Sequence, residues 1–188
     1  MKKRHIITIA GRPGSGKSTT ARQVSAELGY QFFSSGDLFR ALGRERGHDV
    51  LQTNLSAEEN AEVDRLVDQR LREMGASEDQ IVIDSRMAWH WMPESFKVFL
   101  DLDLEIAAKR ILKNMDPSRL ESEDIPDSPT KYAKVLQARL DSENRRYKML
   151  YDVTPYDMHH YDLVIDTGDK EIGEVASLVL EAYKSWHS

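Results

Sequence analysis

Residues 6–18 read IITIAGRPGSGKS, and this stretch decides the fold. The run from Ile6 to Ala10 is apolar enough for a buried strand, and residues 11–18 fit the pattern G-x-x-x-x-G-K-S/T. The residues after it, TTARQVSAEL, have the composition of a helix. A strand, a glycine-rich turn and a helix in this order predict a loop whose backbone amides surround a phosphate group at the helix N-terminus.

This loop predicts the donor site for a nucleoside triphosphate. Lys17 would reach the β- and γ-phosphates, and the Ser18 hydroxyl would bind Mg²⁺. A glycine-rich turn without a ligand is the alternative, which the flanking strand and helix disfavour. The predicted ATP-binding residues of the loop are Gly11, Arg12, Pro13, Gly14, Ser15, Gly16, Lys17, Ser18 and Thr19.

Short apolar runs alternate with longer amphipathic segments along the whole chain, which is typical of a parallel α/β protein. We predict a three-layer fold with a parallel five-stranded sheet, its strands at 6–10, 31–34, 80–84, 96–101 and 162–166. Helices are predicted from the Gly16 turn to Gly29, through Leu38 and Leu42 toward Gly47, after Asp103, over 130–151 and over 171–183. The carboxyl ends of the strands would then meet at one edge, where such sheets bind ligands.

Two further segments are predicted to serve the bound substrates. Residues 56–74 open with SAEE, a capping box, and place Val63, Leu66, Val67 and Leu71 on one stripe, so a long helix is expected within a helical insertion at about 36–76. The polar segment 115–128 lies within a predicted lid at about 113–130. A surface loop is the alternative interpretation of that segment.

Composition limits the classes of function. A length of 188 residues with 40% hydrophobic content suits one domain, 1–188, and a net charge of -6 argues against a nucleic-acid polymer or an anionic membrane as partner. Cysteine is absent, which excludes disulfides and thiolate metal sites. The apolar run after MKKRH is too short for a signal core or a membrane span, so we expect a cytoplasmic protein. We also expect a monomer.

The loop motif alone does not choose among nucleotide-binding classes, since GTPases, ATPases and small-molecule kinases share it. The sequence has no N/T-K-x-D guanine signature and is short for a large ATPase. These features favour a small kinase. A regulator that binds a nucleotide without catalysis is the alternative.

Beyond the loop, the sequence resembles the cytidylate kinase family, in particular its short archaeal-type branch. The resemblance is carried by GRPGSGKST, SSGDLFR at 34–40, AEENAEVDR at 57–65, IDSR at 83–86, R-x-x-x-E-x-x-R-Y at 139–147 and YDLVIDT at 161–167. It implies a P-loop kinase that uses ATP and Mg²⁺ to convert CMP or dCMP into CDP or dCDP. Another nucleotide or a small metabolite is the alternative acceptor.

The resemblance also assigns residues to the acceptor monophosphate, whose negative charge requires fixed cations beside the donor phosphates. Ser35 and Arg40 follow the second strand and Arg86 follows the third, so all three are expected at the binding edge. A surface salt bridge is the alternative for each arginine.

Arg139, Glu143 and Arg146 repeat at helical spacing and are expected on one helix face. The resemblance implies that the arginines bind phosphates and that the acid lies near the ribose. A solvated salt bridge is the alternative. With Lys17 and Arg86, these two arginines complete the predicted catalytic set.

Three other residues receive predicted roles. Asp84 would hold Mg²⁺ through its water shell, or else serve as a structural carboxylate, and Ser85 beside it stands where the family usually has glycine. Asp64 would accept a hydrogen bond from the exocyclic amine of cytosine, or else face solvent. Arg110 would contact the donor phosphates, or else lie at the edge of the core. The cluster Trp89-His90-Trp91 is interpreted as packing.

Overall fold

The computed structural model describes residues 4–45, 62–115, 126 and 128–188. Five strands form one parallel sheet in the order β2-β3-β1-β4-β5. Their bounds are β1 Ile6–Gly11, β2 Gln31–Ser34, β3 Ile81–Asp84, β4 Phe96–Asp101 and β5 Leu163–Asp166. Each predicted strand agrees with these bounds to within one residue at either end. The α/β prediction is confirmed, and all strands end at one edge.

Helices connect the strands. They are α1 Lys17–Leu28, α2 Ser35–Glu45, α3 Glu62–Ser77, α4 Ala88–Trp91, α5 Leu104–Lys113, α6 Pro129–Tyr151 and α7 Ile172–His187. The short α4 and a 3-10 turn at Met158–His160 were not predicted, because four and three residues are too few to show a helical period. Among the described residues, none of the helices is long and apolar enough to cross a membrane.

The sheet is covered on both faces, which explains its continuous apolar strands. Helices α1 and α7 bury Ala21, Val24, Val175 and Val179 against one face. On the other face, α2, α3 and α4 enclose a second core around Leu71, Ile81 and Met92. The result is the three-layer arrangement that the sequence predicts.

Helices α2 and α3 are the described parts of the predicted insertion. The capping box at 56–59 and most of the predicted lid lie outside the described residues. The predicted stripe on α3 is correct for Val63, Val67 and Leu71, which are buried, but Leu66 is 38% exposed. Asp64 and Asp68 are instead buried beside the stripe.

Candidate active site

The glycine-rich loop between β1 and α1 packs closely against neighbouring backbone. Gly11 pairs with Leu100 of β4, and a Cβ atom at Gly11 would lie 2.4 Å from the Leu100 carbonyl oxygen. Gly14 has φ 73°, and a Cβ there would lie 3.2 Å from the Cα of Ala107 in α5. The loop therefore needs glycine at both positions, for space at Gly11 and for backbone conformation at Gly14.

Two amides of this loop are hydrogen-bonded within the protein. The Arg12 amide donates to the Leu100 carbonyl at 3.1 Å, and the Ser15 amide donates to the Arg12 carbonyl at 3.3 Å. The Arg12 guanidinium also pairs with Asp101 at the end of β4, at 2.7 Å. Arg12 thus anchors the loop to β4.

Asp84, at the carboxyl end of β3, joins the two polar side chains at the start of α1. Its Oδ1 lies 2.9 Å from Lys17 Nζ, and the Ser18 hydroxyl donates to Oδ2 at 2.5 Å. No cluster of three or more His, Cys, Asp or Glu side chains that could hold a metal occurs in the described ranges. The donor set fits Mg²⁺, which takes one or two hard oxygen ligands from the protein and the rest from phosphates and water.

Ser85 continues from Asp84 without unusual backbone geometry. The positive-φ residues other than glycine in the described ranges are Gln80 and Asp152, so Ser85 does not occupy a conformation that requires glycine. Its amide donates to the Ile9 carbonyl at 3.1 Å, and its hydroxyl accepts from the Met87 amide at 3.2 Å. The departure from the family's usual glycine is accommodated by a local hydrogen bond.

The start of α2 carries Ser35 and Arg40 to the same edge. The Ser34 hydroxyl accepts from the Asp37 amide at 3.3 Å and so caps this helix. Ser35 donates to the Asp84 carbonyl at 3.3 Å. Arg40 is half-exposed and pairs with Asp37 at 2.6 Å, one turn away. The exposed Asp37 carboxylate therefore holds the Arg40 guanidinium near the carboxyl edge of the sheet.

Glu143 on α6 is buried and holds two of the predicted catalytic arginines. Arg86 Nε lies 3.1 Å from Oε2, and Arg139 Nε lies 3.0 Å from Oε1. The Tyr156 hydroxyl donates to Oε2 at 2.5 Å. Burial would raise the pKa of Glu143, but Arg86, Arg139 and the Tyr156 hydrogen bond outweigh it and lower the pKa to about 2. Glu143 is therefore an ionised carboxylate that fixes both guanidinium groups.

Arg146, one turn further along α6, pairs with Asp64 on α3. Arg146 Nε lies 2.5 Å from Asp64 Oδ2, and the Tyr147 hydroxyl donates to Oδ1 at 3.4 Å. Burial raises the pKa of Asp64 despite the neighbouring Arg146 and Arg86. Asp64 is buried and does not face solvent, and its carboxylate already has a cation and a hydroxyl as partners.

Two adjoining cavities open between these elements. The phosphate-loop cavity, about 170 Å³, is lined by Lys17, Ser18 and Asp84, and the insertion cavity, about 60 Å³, is lined by Asp64 and Asp68. The described residues that line both are Ser35, Gly36, Arg40, Ser85, Arg86 and Arg139. The predicted donor and acceptor residues thus meet at a shared cationic boundary.

Comparison with known proteins identifies the family of this chain. Residues 10–125 match a family model described as an AAA domain. A curated cytidylate kinase of Methanothrix thermoacetophila is 37% identical over 96% of this chain and 98% of its own length. One from Haloarcula marismortui is 36% identical over 96% of this chain and 90% of its own length. The chain belongs to the cytidylate kinase family.

Solved structures confirm the P-loop kinase fold. A shikimate kinase of Bacteroides thetaiotaomicron aligns over 95% of this chain and 98% of its own, with a TM-score of 0.63 and 15% identity. A shikimate kinase of Acinetobacter baumannii, solved with shikimate, also gives 0.63, at 16% identity over 98% of this chain and 95% of its own. At such identities the likeness concerns the fold alone.

Within this member of the cytidylate kinase family, Arg110 is held near the end of β5 and lines neither cavity. Its guanidinium donates to the carbonyls of Thr167 and Gly168, after β5, at 2.7 and 3.0 Å. Thr19 is exposed in the first turn of α1. Trp89 is buried and stacks on His160 with ring centroids 4.2 Å apart, which agrees with the packing interpretation of that cluster.

Three residues that line the two cavities of this cytidylate kinase family member were missed in the sequence. Tyr156 lies in a segment without a helical or strand period, so nothing marked it as a partner of Glu143. Tyr147 follows Arg146 directly and was noted only as part of a motif. Asp68 stands four residues after Asp64, and this spacing could have indicated a second acid on the same helix face.

Proposed function

We propose that this protein transfers the γ-phosphoryl group of ATP to CMP or dCMP, which yields CDP or dCDP. The observation that carries the proposal is the pair of adjoining cavities, one at the phosphate loop and one at the insertion, with Arg86 and Arg139 lining both. A phosphoryl donor and a phosphoryl acceptor must be brought into line across such a boundary. The cytidylate kinases that cover nearly the whole chain support the choice of acceptor.

On the donor side, the loop residues would bind the triphosphate. Lys17 would move from Asp84 to the β- and γ-phosphates, because phosphate oxygens concentrate more negative charge than one carboxylate. The Ser18 hydroxyl and the Asp84 carboxylate would hold Mg²⁺, which neutralises charge on the β- and γ-phosphates when bound. Arg110, held on two carbonyls at the same edge, would border the donor.

On the acceptor side, Arg40, Arg86 and Arg139 line both cavities and would supply positive charge around the monophosphate, with Ser35 beside them. Arg146, paired with Asp64 behind that lining, would add to this charge. Glu143 would act as a positioning residue for Arg86 and Arg139, and we retain its predicted place near the ribose. The attacking atom is already a phosphate oxygen, so no strong general base is required. Orientation and charge neutralisation account for the catalysis.

The remaining expectations belong to the same proposal. Residues 1–188 would act as one kinase domain, with the insertion at about 36–76 and the lid at about 113–130. We further propose a monomer in the cytoplasm that binds ATP and a nucleoside monophosphate. A kinase for another small acceptor is the second candidate, because the same fold is found in shikimate kinases.

A coupled assay of ADP release tests the proposal. The full chain is given ATP and Mg²⁺ with CMP, dCMP, UMP, AMP or shikimate, and reactions with EDTA measure the requirement for metal. CMP or dCMP should give the highest kcat/KM. Turnover with another acceptor alone would overturn the choice of acceptor, and absence of turnover with the whole panel would favour a regulator that binds nucleotides.

A further inference from the structure

The insertion cavity contains a buried carboxylate that the proposed chemistry does not use. Asp68 on α3 is 2% exposed and lines this cavity. Its Oδ1 accepts from Trp91 Nε1 at 3.2 Å, whereas its Oδ2 makes no hydrogen bond to the part of the chain that the structure describes. A buried carboxylate oxygen without a donor is costly, so it marks a place where a ligand donor would be bound favourably.

Asp64, one turn earlier on the same helix, lines the same cavity, but each of its two oxygens already lies against a charged or polar group. Its carboxylate lies 2.5 Å from Arg146 Nε and also accepts from the Tyr147 hydroxyl. A ligand that used Asp64 would have to compete with a buried guanidinium for the same oxygen. Asp68 makes no ion pair with an arginine among the described residues, and Arg72, whose charge acts on its pKa, instead lies over the Trp91 ring at 3.9 Å from its centroid.

We propose that Asp68 is the residue that selects the base of the acceptor, with its Oδ2 accepting a hydrogen bond from the exocyclic amine of cytosine. The inference rests on the proposed function and assigns its base specificity to this residue. Uracil presents a carbonyl oxygen at the same position, and two facing acceptors repel each other. Asp64 then serves as a positioning residue for Arg146.

The surroundings of Asp68 suit this role. The Trp91 indole fixes one oxygen, and Arg72 stacked on that indole holds the ring in place. Burial raises the pKa of Asp68 to about 6, with the neighbouring Tyr151 and Trp91 side chains and Arg72 acting against it and Asp64 adding to it. The carboxylate is ionised well above that pKa, and an amine donor from the ligand would lower the pKa further.

The test compares Asp68→Asn with Asp64→Asn, two isosteric changes one helical turn apart. Values of kcat/KM are measured for CMP, dCMP and UMP at one pH well above the Asp68 pKa. Asp68→Asn should reduce the preference for CMP over UMP by at least about tenfold, because an amide can turn a donor toward uracil. Asp64→Asn should lower kcat/KM for both acceptors by similar factors and leave their ratio within about twofold.

Several outcomes would overturn the assignment. An unchanged ratio in Asp68→Asn makes Asp68 a structural carboxylate held by Trp91. A ratio that collapses in Asp64→Asn transfers base selection to Asp64. If the wild type does not use CMP at all, the proposed function itself fails, which is a separate result.

A second variant keeps the proposal testable if Asp68→Asn does not fold, as judged by circular dichroism. Trp91→Phe removes the donor that fixes Oδ1 while leaving the carboxylate in place. The preference for CMP over UMP should then fall severalfold with the KM for ATP unchanged. A folded Trp91→Phe variant with the wild-type ratio would contradict the proposal.

Discussion

The two halves of this site are built differently. The phosphate-loop side is a short run of consecutive residues, in which a strand, a turn and a helix place Lys17 and Ser18 beside Asp84. The insertion side takes its polar groups from elements far apart in the chain, such as Arg86 after β3 and Glu143 on α6. A local motif can be transferred between proteins as a unit, whereas a dispersed set depends on how the helices pack.

The two sides also differ in how their charges are satisfied. Asp84 is shared by a lysine that is expected to move to the phosphates and a hydroxyl that is expected to hold Mg²⁺ with it. The acceptor arginines are tied to buried carboxylates, Arg86 and Arg139 to Glu143 and Arg146 to Asp64. Under the proposed function, the donor side would exchange partners on binding, whereas the ion pairs of the acceptor side are already formed.

The largest effect is expected on the donor side, from Lys17→Ala. Turnover should fall by at least about a thousandfold, or about 4 kcal/mol in activation free energy, because the lysine neutralises charge that develops between the β- and γ-phosphates. The measurement is kcat with a circular-dichroism control, and Lys184→Ala on the exposed side of α7 is the matched surface change. Near-normal turnover in a folded variant would reject the donor site.

A prearranged acceptor side predicts a stability effect from Glu143→Gln. Loss of the carboxylate leaves Arg86 and Arg139 without their buried anion, so the free energy of unfolding should fall by about 3 kcal/mol near neutral pH. Urea denaturation measures it, and Glu73→Gln, whose partner Arg70 is exposed, should change the stability by less than about 1 kcal/mol.

The Glu143→Gln variant should also change how the free energy of unfolding depends on pH. The folded pKa of Glu143 is lowered from an ordinary value of 4.5 to about 2, so its stabilisation is complete above about pH 4.5 and is lost as the pH falls toward 2. The difference in unfolding free energy between the wild type and Glu143→Gln should narrow over that range. A constant difference would mean that Glu143 is not held as an ion.

Arg86→Ala tests whether the two sides are functionally separate. Because Arg86 is proposed to bind the monophosphate, kcat/KM for the acceptor should fall by roughly 10- to 100-fold, or about 2 kcal/mol. Calorimetry should find ATP affinity changed by less than about threefold, and Arg70→Ala on the exposed face of α3 is the control. A collapse of ATP affinity with normal acceptor kinetics would reverse the assignment.

The difference between the two sides also explains how far the sequence could be interpreted. The loop and the strands were predicted to within one residue, because apolar runs and glycine spacing are local signals. The pairing of Arg146 with Asp64 could not be predicted, since it depends on the packing of α6 against α3. The helical spacing of 139, 143 and 146 indicated one face, but not that Glu143 is its buried centre.

Helix α3 shows where hydrophobic pattern and function diverge. A stripe of apolar residues predicted Leu66 inside, yet Leu66 is 38% exposed while Asp64 and Asp68 are buried. The face of α3 that is turned toward the cavity therefore carries two carboxylates, and Leu66 lies outside that face. Such a conflict between local pattern and burial is expected at functional sites. Ser85 is a second such conflict, because the resemblance predicts glycine at that position.

The smallest effect is expected from Ser85→Gly, which restores the family's usual residue at the boundary between the two sides. The φ angle of Ser85 is not positive, so a glycine at this position relieves no backbone strain. Loss of the serine hydroxyl also removes the hydrogen bond that the Met87 amide donates to it. A glycine there also costs backbone entropy. The free energy of unfolding should therefore fall by about 1 kcal/mol, with kcat/KM for CMP within about twofold of the wild type.

Ser85→Ala separates the two contributions, because it removes the hydroxyl without adding backbone freedom, and its stability should lie between those of the wild type and Ser85→Gly. Both variants are compared by urea denaturation and by steady-state kinetics with CMP. A gain in stability or activity in Ser85→Gly, absent from Ser85→Ala, would show that this turn favours glycine's backbone. The boundary between the two sides would then be strained by serine, contrary to the regular geometry that Ser85 has in the structure.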